Sequence, residues 1–194
     1  MAYSTGTAAS RSDLVSAIQA FCTANGWTLS GDVLHKGSCY CEVKLGTFSS
    51  HPANSAILVR AGNGIDGSNA LTDPAPLASA IGLMATTSSG GFTEWDFPVT
   101  YHLHLGTDPD EVYMVVQYNG STNFQYLGFG QSPTPGNPGT GNWHSATMGQ
   151  TASGPIQSFS CNVNTNGGNL LGRQFSPLPF WVGSNNGSGY GPSY

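Results

Sequence analysis

Three runs decide the fold: Phe97-Pro-Val-Thr-Tyr-His-Leu-His-Leu105, Glu111-Val-Tyr-Met-Val-Val-Gln-Tyr118 and Asn123-Phe-Gln-Tyr-Leu-Gly-Phe129. Each alternates apolar with polar or aromatic residues at the two-residue period of a half-buried strand. Gly106-Thr-Asp-Pro-Asp110 and Asn119-Gly-Ser-Thr122 separate them, and both have the turn chemistry of hairpins. The runs therefore predict a three-stranded antiparallel meander.

Upstream, Leu14, Ile18, Phe21 and Cys22 recur at i, i+4, i+7 and i+8, one buried stripe of a helix spanning about Ser10 to Asn25. Ser10 or Ser12 can cap it, Asp13 suits the positive end of its dipole, and Asn25-Gly26 stops it. Ser38–Leu45 alternates Cys39, Cys41, Val43 and Leu45 with Tyr40, Glu42 and Lys44, and Ala56–Ala61 is a second strand, ended by Gly62-Asn-Gly64. Residues 62–96 read as a long loop with one weak helical turn at Leu77–Met84. The expected fold class is α+β: the N-terminal helix packed on one antiparallel sheet built from 38–45, 56–61 and the 97–129 meander. One core domain over 1–161 would include a long Gly/Pro-rich loop at 131–154, and 162–194 would form an extended C-terminal arm.

The chain has 194 residues, of which only 8% are charged, against roughly 25% in ordinary soluble domains. Either neighbouring subunits cover much of the surface, where a charge would be costly to desolvate, or the protein is extracellular, β-rich and built with neutral loops. Five basic residues and a formal charge of −5 cannot neutralise a run of phosphates, so no nucleic-acid partner is expected. No stretch approaches the ~20 apolar residues of a membrane span, and no export signal follows Met1, so membrane insertion is not expected and free thiols are favoured.

The chemistry-bearing residues form no recognised signature. His102 and His104 share one strand face, as do Cys39 and Cys41, so a two-plus-two zinc site can be drawn, but the spacing of closed zinc sites is absent. Cys22, Cys39, Cys41 and Cys161 could pair with His35, His51, His102, His104 or His144 as in a cysteine hydrolase, which remains a weaker alternative. Asp108 and Asp110 are turn formers before they are acids. No phosphate loop is present, and no catalytic residue, cofactor or metal is expected. Trp95, Trp143 and Trp181 in polar loops could stack on a host-surface glycan; the competing reading makes them loop anchors or plugs for a partner's pocket. On that second reading Trp143, Phe175, Phe180, Trp181, Tyr190 and Tyr194 are the candidate assembly-interface residues.

Tyr3-Ser-Thr-Gly-Thr-Ala8, the helix from Asp13 to Phe21 and the exit Asn25-Gly-Trp27 resemble the start of a group of tailed-bacteriophage virion proteins, in which a "TGTA" leader precedes a helix ending in "NGW". Tyr101–Leu105, Glu111–Gln117, Tyr126-Leu-Gly-Phe-Gly130 and Gly141-Asn-Trp143 are similar to that group's strand pair and aromatic–glycine segments. The resemblance covers about 3–29 and 98–145. It implies a structural, non-catalytic role in the virion, in the tail, baseplate or fibre-attachment region, with copies of itself and other virion proteins as partners. A receptor- or carbohydrate-binding virion module is the alternative.

Overall fold

The computed structural model describes residues 1–47, 53–75, 78–85, 92–119, 123–132, 141–146, 174–176, 183–185 and 188–190. Among them the chain is mostly β, with a single helix. Strand β1 (Ala2–Ala8) leads into α1 (Arg11–Ala24), followed by β2 (Thr28–Ser30), β3 (Val33–Lys36), β4 (Cys39–Gly46) and β5 (Ala56–Gly62). Short strands β6 (Gly64–Ile65), β7 (Leu71–Thr72), β8 (Ser79–Ile81), β9 (Leu83–Ala85) and β10 (Phe92–Glu94) come next. The meander is β11 (Val99–Gly106), β12 (Glu111–Tyr118) and β13 (Asn123–Ser132), and then come β14 (Gly141–Ala146), β15 (Gln174–Ser176), β16 (Gly183–Asn185) and β17 (Ser188–Tyr190).

Two antiparallel sheets dominate. One has the order β1-β11-β12-β13-β14-β15 and the other β2-β3-β4-β5-β8, while β6-β7, β9-β10 and β16-β17 are two-stranded ribbons. This overturns the α+β expectation of one helix on one sheet. The runs at 38–45 and 56–61 do pair with each other, but in a different sheet from the 97–129 meander. The physical reason is area. Both sheets are apolar on one face, and the α1 stripe of Leu14, Val15, Ile18 and Cys22 is too narrow to cover that much strand. Leu103, Leu105, Val112, Met114, Val116, Leu127 and Phe129 of one sheet therefore share a core with Leu34, Cys39, Cys41, Val43, Ile57, Val59 and Ile81 of the other. The helix contacts β1 and β11 on one side and β2, β4 and β5 on the other, and Gln19 donates to the Val43 carbonyl at 3.1 Å.

The helix starts where its chemistry dictates. Ser10 is extended and its Oγ accepts from the Asp13 N–H, while the Asp13 carboxylate accepts from the Ala9 N–H. At the far end Gly26 takes a φ of +84° and Trp27 N–H closes back on the Cys22 carbonyl at 3.1 Å, so Trp27 is delivered into the core, edge-on to Phe129.

Three further expectations change. Residues 62–96 contain short strands where one helical turn was expected at 77–84, with Ala80 and Ile81 buried against the core. The segment 131–154 was expected to be loop; Gln131 and Ser132 finish β13, and 141–146 is an interior strand. The "TGTA" segment ahead of the helix, for which no strand is expected, is a full strand antiparallel to β11.

Candidate interaction face

Strand alternation gives the six-stranded sheet an outward face as well as a core face. On β11 the outward residues are Thr100, His102 and His104; on β12, Glu111, Tyr113, Val115 and Gln117; on β13, Phe124 and Tyr126; β1 adds Tyr3, Thr5 and Thr7. The register arranges them in rows across the strands. Tyr3, His104, Tyr113 and Gly128 form one row, Thr5, His102, Val115 and Tyr126 the next, and Thr7, Thr100, Gln117 and Phe124 the third.

The rows are knitted by polar and ring contacts. Tyr3 shares a hydrogen bond with His102 Nδ1 at 2.9 Å, and its ring lies 4.8 Å from that of His104. Thr5 Oγ1 donates to the Tyr101 carbonyl at 2.8 Å. Tyr113 Oη donates to Glu111 Oε2 at 2.9 Å, and its ring sits 5.8 Å from Trp143. Gly128 makes that ring contact possible, because a Cβ there would lie 3.0 Å from Tyr113 Cδ1 and 3.4 Å from Trp143 Cη2. Among the described residues these three rows hold no carboxylate, lysine or arginine, and Glu111, beside them between Gly106 and Gly130, is the one charged side chain on the outward positions of β1, β11, β12 and β13, so the face is aromatic, hydroxylated and nearly neutral. Such a face suits burial against another neutral surface, since it has few charges to strip of water.

At one end of the sandwich β14 ties the two sheets together with polar side chains. Asn142 Nδ2 donates to the Ser38 carbonyl at 2.8 Å and the Gly62 carbonyl at 2.6 Å. His144 is fully buried, and its Nδ1 accepts the Ala61 N–H at 3.0 Å. Gln131 reaches Ser38 Oγ at 2.6 Å beside them. Neither Asn142 nor the tie made by His144 is legible beforehand; an Asn and a His flanking Trp143 in a Gly-rich stretch carry no period that would assign them to a core.

The structure redistributes the residues singled out in the sequence. Trp143, expected as an assembly anchor, is 1% exposed and its ring is engaged within the protein. Phe175 stands opposite Trp143 in the β14–β15 register, and Tyr190 stands opposite Gly183 in β17. Phe180, Trp181 and Tyr194 lie outside the described residues, as do His51 and Cys161. The alternative of a sugar platform on Trp95, Trp143 and Trp181 loses two of its rings, because Trp95 is also buried, stacked on Tyr118 at 5.3 Å, as the loop-anchor reading has it.

The imagined zinc site is likewise taken apart. Cys39 and Cys41 share a face as expected, but it is the core face of one sheet, whereas His102 and His104 project outward from the other. Among the described residues no group of three metal-ligating side chains converges. Burial pushes the Cys22 thiol up to about 12, and Cys39 to about 12 through burial reinforced by Asp110, while Cys41 is raised well above the usual thiol range by burial. These thiols are therefore protonated at neutral pH, and Cys41 Sγ points its weak bond at the Glu42 carbonyl, not at a histidine. No protein-family model, no curated protein and no solved structure matches the chain.

Proposed function

We propose that the chain is a structural subunit of a tailed-phage particle, placed in the tail, baseplate or fibre-attachment region, and that it works by assembling with copies of itself and with other virion proteins. One observation carries this reading: the outward face of the six-stranded sheet offers Tyr3, His102, His104, Tyr113, Val115, Phe124 and Tyr126, with Glu111 the one carboxylate beside them among the described residues. A free-standing domain keeps such a face charged to stay soluble, whereas a subunit can bury it against neighbours. The low charge of the whole chain points the same way.

The test is compositional and then structural. Mass spectrometry of gradient-purified particles from a producing culture is expected to find the chain as a stoichiometric component. Tyr113→Lys places a charge at the centre of the face without entering the core, and the variant is expected to fold but to drop out of particles. Particles that lack the chain altogether, or that incorporate Tyr113→Lys as readily as the parent, refute the reading.

A further inference from the structure

We infer that the free edge of β1 is a self-association strand that pairs antiparallel with β1 of a second copy, joining two six-stranded sheets into one continuous sheet. The inference rests on the assembly reading and names the surface and the partner.

Strand β1 has a neighbour on one side only, β11. Alternate residues on its other side therefore present backbone N–H and C=O groups with no ladder partner among the described residues. Every other end strand of the two main sheets is short: β2, β8 and β15 are three residues each. Very short end strands are one of the devices by which proteins protect sheet edges, along with charges, prolines and bulges. Strand β1 uses none of them. It runs seven residues in unbroken register with β11, and Ala-Tyr-Ser-Thr-Gly-Thr-Ala contains neither charge nor proline.

The strand's own chemistry selects a second copy as its partner. An antiparallel pairing centred on Thr5 sets Thr5 against Thr5 of the second copy and Tyr3 against its Thr7, all on the outward face. Threonine pairs and aromatic–β-branched pairs are among the favoured cross-strand combinations. On the inward face the same register sets Ala2 against Ala8 and Ser4 against Gly6, residues too small to obstruct the approach. No charge meets a charge anywhere along the strand. Tyr3, 56% exposed in the single chain, then lies at the seam, and the outward rows of the two copies run on into each other. The contact is isologous and closes on itself.

Sedimentation velocity on the full chain is the first measurement, with a concentration-dependent dimer expected. Thr5→Lys opposes two like charges at the two-fold and is expected to weaken dimerisation roughly five- to tenfold. Its unfolding midpoint, followed in parallel, is expected to fall by no more than the loss of the exposed Thr5–Tyr101 hydrogen bond entails. In a Cys161→Ser background, Thr5→Cys is expected to form a disulfide-linked dimer under mild oxidation, since directly opposed residues of antiparallel strands sit within disulfide range. Thr7→Cys faces Tyr3 in this register and is expected not to cross-link. A chain that is monomeric at every concentration overturns the inference and the self-assembly part of the functional reading together. An oligomer that survives Thr5→Lys, or one that cross-links through position 7 and not through position 5, overturns the inference alone and leaves the assembly reading standing.

Discussion

Replacing His144 with phenylalanine isolates the tie that β14 makes between the sheets. Ala61 lies just beyond the end of the β5–β8 ladder, which closes at Val59 opposite Ser79. Its N–H has no strand partner on that side and is satisfied by His144 Nδ1 at 3.0 Å. Phenylalanine keeps a planar ring, somewhat larger than imidazole, but offers a C–H where the nitrogen lone pair was. The result is a buried, orphaned donor in place of a hydrogen bond, at a cost of about 1–3 kcal/mol. For a chain of this size, a loss near the middle of that range lowers the unfolding midpoint by roughly 4–8 °C. Urea unfolding followed by tryptophan fluorescence reads the energy, because Trp27, Trp95 and Trp143 are all buried. Amide exchange at Ala61 reads the mechanism: protection is expected to fall there while Val59, held within its ladder, keeps its own. A variant as stable as the parent with an unchanged Ala61 amide would refute the reasoning.

Gly130→Ala is expected to destabilise the β12–β13 corner by about 1–3 kcal/mol, because a Cβ there would stand 2.6 Å from the Asp110 carbonyl oxygen and 2.9 Å from Glu111 Cα; chemical denaturation checks it. Ser10→Ala removes the cap on α1 and is expected to cost about 1 kcal/mol, visible in the same assay with no change in the outward face. The raised thiols make two linked predictions. Cys22, Cys39 and Cys41 should resist a thiol reagent in the folded protein at neutral pH and react on unfolding. Because burial pushes the folded thiols of Cys22 and Cys39 up to about 12 from an ordinary value of 9.0, the unfolded chain releases its protons first, so stability is expected to fall as pH rises from 9.0 towards 12. A flat stability profile across that window would sink the second.

Local periodicity carried most of what was legible. The stripe of Leu14, Ile18 and Cys22 describes one helix and the alternation in 97–129 three strands, and each element forms where its pattern places it. Which sheet a strand joins depends on contacts between distant segments, and no period encodes that, so two facing sheets were read as one. Strand β1 was missed for a different reason. Its inward positions, Ala2, Ser4, Gly6 and Ala8, are all small, and Tyr101 fills the space beside Gly6, so the hydrophobic signal of a strand is supplied there by its partner. The aromatic face was visible as alternation. Polar neighbours surround Trp143 in sequence and make it an interface candidate, whereas it is buried in the structure; Trp95, buried too, fits the reading of these rings as loop anchors.

The pairing of β1 with β11 joins residues nearly a hundred positions apart. On a ribosome adding about 5–20 residues per second, the first strand is finished roughly 5–20 s before its mate exists. During that interval an uncharged, β-competent segment waits beside nascent chains of the same kind. A polysome is thus the place where the protein is most exposed to exchanging this strand between copies, and synthesis rate becomes a variable in its yield.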